Sequence, residues 1–443
     1  MRKIDVNDAI DARPFSRFQG RVAALCALLL ILDGYDVFVA GTVLPTLIAQ
    51  WHLSKPEAGA LQAWALFGMM FGALIFGPLA DRLGRRTGIL ISVLLFTVAT
   101  VLTGFSTSPL SFKIFRFVAG LGCGGLMPNV VALMNEYAPK RLRGTMVALM
   151  FSGYSVGGIL AAGLGIGLIP DFGWKPMFFV TAIPLALLPL IMWRLPESLG
   201  FLLRQGRQDE ARRIFARIDP HAKFGAEDQL VLREVEGASA SVRELFRHRR
   251  ALCTFMLWLS FFCCLLLVYL LSSWLPKVLL EAGYAQRASL LSLVALNFGG
   301  MAGAVLGGVL GDRIGLPKVV VGFFALAALS IGLIGFNLPA GLLFFMVFIA
   351  GASTIGTQIL LYASVAQLYN LSVRATGLGW ASGVGRIGAI VGPTLGGLLL
   401  AMELPLQENF LIFAGPAVIS MVAMMIFALD PASRSGAVRL AAI

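Results

Sequence analysis

Long apolar stretches separated by short polar ones run along nearly the whole chain, and each is close to the roughly 20 residues that a helix needs to cross a bilayer. Six fall near 22–45, 57–80, 87–106, 110–135, 144–169 and 174–194. A polar stretch, 195–249, interrupts. Six more follow near 250–274, 287–311, 317–336, 340–367, 374–400 and 407–429. The pattern predicts an all-α integral membrane protein of 12 transmembrane helices. Its expected parts are a tail (1–21), a six-helix bundle (22–194), a central loop (195–249), a second six-helix bundle (250–429) and a second tail (430–443).

Composition agrees with this pattern. Hydrophobic residues make up 58% of the 443 and charged residues only 13%, with mean hydropathy +0.85, which is more apolar surface than a soluble fold can bury. Fifty glycines suit close helix approach in lipid. The first 21 residues are polar and carry both signs of charge, with no apolar core before a small-residue site, so a cleaved signal peptide is not expected. Cys26, Cys123, Cys253, Cys263 and Cys264 all lie in apolar runs and read as packing residues.

Charge sets the expected orientation. About 28 of the 35 basic residues fall in the tails, the central stretch and the connections after spans 2, 4, 8 and 10; the opposite connections hold Lys55, Lys113, Lys175, Lys277 and Arg287. Lys and Arg resist translocation, so both termini are expected on the cytoplasmic side. The net charge of +12 is accounted for by this topology, and a nucleic-acid partner is not needed.

The two halves repeat. Gly77-Pro-Leu-Ala-Asp81-Arg82-Leu-Gly84-Arg85-Arg86 follows span 2, and Gly308-Val-Leu-Gly-Asp312-Arg313-Ile-Gly315 follows span 8, with the Asp-Arg pairs 231 residues apart. Arg143 and Arg374, after spans 4 and 10, keep the same 231-residue offset. Parallel halves of this kind are typical of carriers that rock about a midplane site.

The first of these loops resembles the signature loop of the major facilitator superfamily, and its degenerate copy sits where that family places one. Arg116-Phe-Val-Ala-Gly120-Leu-Gly122 in span 4 and Leu195-Pro196-Glu197-Ser198 after span 6 are similar to further family motifs. Within the family the chain resembles the aromatic acid:proton symporters, on Asp33-Gly34-Tyr35-Asp36 in span 1, the run Gly120 to Asn129, and the run Gly383 to Pro393. The resemblance implies a bacterial inner-membrane symporter for a benzoate- or hydroxybenzoate-type acid, with no cofactor beyond the proton gradient and a monomer as working unit. Asp81, Arg82, Arg85, Arg86 and their repeat counterparts Asp312 and Arg313 would form gating latches, with Gly77 and Gly84 in the same loop. Span 5 lacks the proline that drug exporters of the family place before the glycine pair Gly157-Gly158, which disfavours export.

The buried charges support coupling independently. Each of Asp33 and Asp36, midway through span 1, costs about 2.5–3.5 kcal/mol to insert. At i and i+3 they share a helix face. Burial and a like-charged neighbour both act against holding two charges there, so at least one of the two carboxylates is expected to carry the coupled proton. The competing reading is a structural ion pair with Arg116, for which proton relay, substrate contact and pairing all stay open. Arg386, flanked by glycines in span 11, is a candidate clamp for a substrate carboxylate, because a guanidinium offers two parallel donors. Tyr35, Asn129, Tyr154, Asn297, Gln358 and Tyr362 are further candidates for substrate contact, with Gln62, Trp64, Tyr269 and Trp274 weaker ones; most aromatics should be packing or interfacial belt.

Other readings are a symporter of a non-aromatic carboxylate, such as a dicarboxylate or sugar acid, and a transporter-like sensor. An enzyme is disfavoured, because His52, His221 and His248 lie outside the spans and no metal-ligand cluster or nucleophile with a matched base is present in them. The central loop, with Asp209-Glu-Ala-Arg212-Arg213, suggests short amphipathic helices on the membrane surface.

Overall fold

The computed structural model describes residues 3–218, 229–231, 242–247, 250–336, 338–369 and 371–430, and within them nearly every apolar stretch is a helix. Strand β1 (Lys3–Asp5) and helix α1 (Val6–Asp11) open the chain. The first half then supplies α2 (Arg17–Trp51), α3 (Lys55–Leu83), α4 (Arg85–Gly104), α5 (Pro109–Tyr137), α6 (Arg143–Phe172), α7 (Lys175–Phe179) and α8 (Ala182–Arg194). Two short helices, α9 (Leu199–Arg204) and α10 (Gln208–Ile218), and strand β2 (Gln229–Val231) follow. The second half supplies α11 (Ala251–Glu281), α12 (Gln286–Ile314), α13 (Leu316–Ile334), α14 (Ala340–Leu368), α15 (Leu371–Ala401) and α16 (Leu406–Leu429). The tail 431–443 and much of the central loop lie outside the described residues.

Eleven helices among the described residues are long and apolar enough to cross a membrane. The twelfth expected span, 174–194, is present in two pieces, α7 and α8, with Val180 and Thr181 between them. The backbone of Pro184, the third residue of α8, has no N–H to give to the Val180 carbonyl four residues back, so the helical ladder lacks that bond at the break. The all-α expectation also needs one amendment. β1 pairs in parallel with β2, Ile4 opposite Leu230, and the Gln208 side chain both donates to and accepts from the Leu230 backbone.

Local signals explain several helix ends. Ser108 caps α5 reciprocally with Ser111, and Pro109 occupies the first turn, where its missing N–H costs nothing. The repeat is carried into the backbone: Gly84 stands between α3 and α4 at φ 97°, and Gly315 between α12 and α13 at φ 94°. Both lie where a side chain is strained. At Gly84 a Cβ would also run into the Glu197 carboxylate, whereas at Gly315 it would meet nothing.

The described chain divides into two compact units. One holds Met1–Asp36, Phe67–Gly157 and Phe178–Glu234; the other holds Val37–Leu66, Gly158–Met177 and Val235–Ile443. The division runs inside α2, α3, α6 and α7 rather than between the repeated halves. Within the second unit, close approaches explain the grouping: a Cβ on Gly41 of α2 would strike the Ser272 carbonyl of α11, and one on Gly59 of α3 would lie 2.5 Å from the Pro393 oxygen of α15.

Replacing Gly84 with Ala should cost about 1–3 kcal/mol in backbone strain, plus the displacement of Glu197, whereas Gly315→Ala should cost strain alone. Thermal unfolding in detergent should therefore rank wild type above Gly315→Ala and Gly315→Ala above Gly84→Ala; equal midpoints for the two variants would contradict the packing at Glu197.

Candidate functional site

The first unit carries a cluster of charge at the middle of α2. Asp33 and Asp36 are both 0% exposed, and Arg116 of α5 is 1% exposed. Arg116 Nη1 donates to Asp36 Oδ1 at 2.9 Å, and Nη2 donates to the Asp36 main-chain oxygen at 3.0 Å. Thr100 of α4 donates to the same Oδ1 at 2.5 Å, while the Cys123 thiol lies 3.6 Å from Oδ2. The Arg116 guanidinium also stands 6.0 Å from the Phe178 ring centroid. Taking two charges out of water costs several kcal/mol per ion and is offset only when geometry and added hydrogen bonds are good; Asp36 has both. Gly34, between the acids, is where α6 meets α2. A Cβ there would overlap the Tyr154 carbonyl oxygen, and one on Gly157 would overlap that of Ile31.

The signature loop, also in the first unit, is a second network. Arg85 pairs with Asp81 at 3.3 Å and with Glu136 at 3.1 Å. Glu136 accepts from Ser198 Oγ at 2.6 Å, and Glu197 accepts from the Arg86 backbone N–H at 3.0 Å. Tyr137 donates to the Glu197 carbonyl at 2.6 Å, and Arg86 donates to the Met192 carbonyl. The loop thus ties α3, α4 and α5 to the chain after α8. Asp81 and Arg82 are exposed, and Gly77 has open space where a Cβ would stand.

The second unit is closed around the opposite end of α3. Lys55, at its first turn, pairs with Glu281 at the end of α11 at 3.5 Å and donates to the Leu400 carbonyl at 3.1 Å. Trp274 donates to the Pro393 carbonyl at 2.7 Å. Deeper in this unit, half-buried Arg386 of α15 has no carboxylate partner among the described residues. Near it in the fold, Tyr362 of α14 stands 3.3 Å from Ser382 Oγ and edge-on to Phe261 at 5.1 Å. Gly388, two residues beyond Arg386, lets α15 approach the Phe262 backbone.

A family model described as Major Facilitator Superfamily matches residues 26–369 and 290–442. The chain belongs to the major facilitator superfamily. It is 44% identical over 432 residues to the benzoate transport protein of Acinetobacter baylyi, covering 96% of this chain and 93% of that one. It is 36% identical to the gallate transporter of Pseudomonas putida, covering 95% and 94%, and 35% identical to the 4-hydroxybenzoate transporter PcaK of Acinetobacter baylyi, covering 90% and 88%. Among solved structures, the Escherichia coli xylose transporter XylE in a partially occluded inward-open conformation has a TM-score of 0.72 at 19% identity, covering 94% of this chain and 99% of that one. The chain is therefore a multi-pass membrane transporter of the superfamily fold.

Within that fold the predicted site residues fall into three places. Asp33, Tyr35, Asp36, Arg116 and Tyr154 lie around the α2 cluster or its contact with α6. Asn129 lies elsewhere: buried in α5, its side-chain nitrogen donates to the Gly125 and Phe76 carbonyls, and its Oδ1 faces Arg85 at 3.5 Å, which places it beside the signature loop. Arg386, Asn297, Gln358 and Tyr362 belong to the second unit, where buried Asn297 donates to the Leu293 carbonyl at 2.9 Å and packs against Gly158. Trp274 is a packing residue of the closed end. Asp312 and Arg313, the degenerate copy, are exposed and make no ion pair among the described residues. Glu136 and Thr100 were not singled out by sequence, and Cys123 was read there as a packing residue. Glu136 had a signal, a lone acid at the end of an apolar run; Thr100 and Cys123 had none.

Asp36→Asn leaves Arg116 buried without its counter-charge and should destabilise the protein by about 3–5 kcal/mol. Asp36→Asn combined with Arg116→Met should recover most of the thermal midpoint, measured in detergent, though not transport. A double variant no more stable than Asp36→Asn would show that the pair is not the source of the loss.

Proposed function

We propose that the chain is a proton-coupled symporter that imports a small aromatic carboxylate, of the benzoate or hydroxybenzoate type, across a bacterial inner membrane by alternating access, with both termini in the cytoplasm. The relatives named for benzoate, gallate and 4-hydroxybenzoate support the substrate class. The observation that carries the coupling is the environment of Asp36. Arg116 and Thr100 both donate to one oxygen of Asp36, so this carboxyl has its counter-charge in place. A second negative charge at Asp33, one turn away and equally buried, is the one that protonation removes. Asp33 is therefore the proton carrier, and Asp36 with Arg116 is the fixed partner that makes its protonation responsive to the site.

Arg386 supplies the cation for the substrate carboxylate. Phe261 and Tyr362 favour a ring over an aliphatic acid, because they present an aromatic edge and face near that arginine in the fold; a non-aromatic carboxylate is the second reading. Lys55 with Glu281 closes the outer side, and the Asp81–Arg85–Glu136 network braces the inner ends of α3, α4 and α5. No cofactor enters this cycle.

In proteoliposomes acidified outside, labelled benzoate and 4-hydroxybenzoate should accumulate, and a protonophore should abolish the accumulation; aliphatic acids should accumulate far less. Accumulation indifferent to the protonophore would sink the reading. Asp33→Asn should lose gradient-driven accumulation yet keep substrate counterflow, which needs no proton movement. Arg386→Lys keeps the charge and loses the two-pronged donor, so KM should rise about tenfold or more, since a hydrogen bond to a charged group contributes about 1.5–3 kcal/mol. An unchanged KM would remove Arg386 from the substrate site.

A further inference from the structure

On the signature-loop side of the first unit, a cavity of about 280 Å³ opens between the start of α2, the end of α8 and α10. Its rim carries Arg21, Arg194 and Arg217, and its floor carries Val22, Leu25 and Leu28. Among the described residues no acidic side chain pairs with any of the three arginines. All three are exposed, so three like charges converge on one opening without a counter-charge.

The level of this cavity in the membrane is marked by its neighbours. Arg21 stands at the first residue before the apolar run of α2, and Arg194 is the last residue of apolar α8. Trp193 beside it is 78% exposed, the placement of an interfacial aromatic at headgroup depth. α10 closes the polar side. Its Ala211, Phe215 and Ile218 are buried, and its Arg217 lies over the Phe18 ring at 5.2 Å, which fixes the guanidinium at the rim. From Arg21, the positions Ala24, Leu25 and Leu28 run down one face of α2 at helical spacing, exposed or half-exposed toward the hydrocarbon.

We infer that this cavity binds an anionic phospholipid, its phosphate held by Arg21, Arg194 and Arg217 and an acyl chain lying along Ala24, Leu25 and Leu28. Basic pockets between membrane helices hold anionic headgroups in this way. A free anion would use the arginines and leave the apolar face idle; a zwitterionic lipid would use the face and leave the charge unbalanced. Because α10 belongs to the central segment, the lipid joins that segment to the first span.

The full-length protein, washed free of lipid in detergent, tests this with phosphatidylglycerol, phosphatidylcholine and inorganic phosphate as separate probes, read by native mass spectrometry and thermal shift. Phosphatidylglycerol should bind at least about tenfold more tightly than phosphatidylcholine, each arginine contributing roughly fivefold. The Arg21→Gln, Arg194→Gln, Arg217→Gln triple variant should lose that preference, while Arg207→Gln, on an exposed Arg207–Glu210 pair, should keep it. Should the triple variant not fold, Leu28→Trp takes its place and must weaken phosphatidylglycerol binding without touching the charges. Equal binding of the two lipids, a preference retained in the triple variant, phosphatidylglycerol binding undiminished in Leu28→Trp, or protection by phosphate matching that of phosphatidylglycerol would each overturn the assignment.

Discussion

A guanidinium and a carboxylate held together out of water, Arg116 on Asp36, are the constraint around which the first unit is organised. Neither charge is tolerable alone at membrane depth. Together, with the main-chain oxygen of Asp36 and Thr100 completing the shell, they fix α2, α4 and α5 to one another through polar contacts that lipid does not weaken. Asp36 has its counter-charge, and Asp33, one turn away, is equally buried.

α3 carries a device at each end. At its C-terminal end, Gly84 turns the chain at a φ that other residues resist, and this brings Arg85 onto Glu136 and Arg86 onto Glu197. At its N-terminal end, Lys55 is held by Glu281 and the Leu400 carbonyl, beside the Gly59–Pro393 approach and the Trp274–Pro393 hydrogen bond. These ion pairs are partly open to solvent, unlike the fully buried Arg116–Asp36 pair. The degenerate copy of the loop retains the glycine geometry at Gly315 but leaves Asp312 and Arg313 exposed, so the repeat preserves the turn and not the network.

Much of this was legible in the chain. Apolar runs of spanning length have one solution in lipid, a helix that satisfies its own backbone, and the 231-residue offset between the two Asp-Arg pairs located the repeat. Buried acids in α2 and arginines in α5 and α15 stood out because charge at that depth is costly. What was not legible depended on contacts between distant segments. Asp36 rather than Asp33 is the partner of Arg116, and no spacing within α2 distinguishes them. Asn129 reads as a midspan polar residue but belongs with Arg85, because α5 runs beyond the apolar stretch to Tyr137. The break at Val180 falls where Pro184 leaves a gap in the helical ladder, inside a run whose hydropathy is uninterrupted. The β1 and β2 strands, 226 residues apart in register, lie in polar segments where membrane patterning carries no information.

The claim on which the rest depends is that the proton resides on Asp33 and not on Asp36. Infrared difference spectroscopy, recorded on the reconstituted protein as benzoate is added at neutral pH, reads this directly through the carbonyl stretch of a protonated carboxylic acid. The account predicts a carboxylic acid band that responds to substrate, disappears in Asp33→Asn and persists in Asp36→Asn combined with Arg116→Met. A band that survives Asp33→Asn and vanishes when Asp36 is replaced would contradict it.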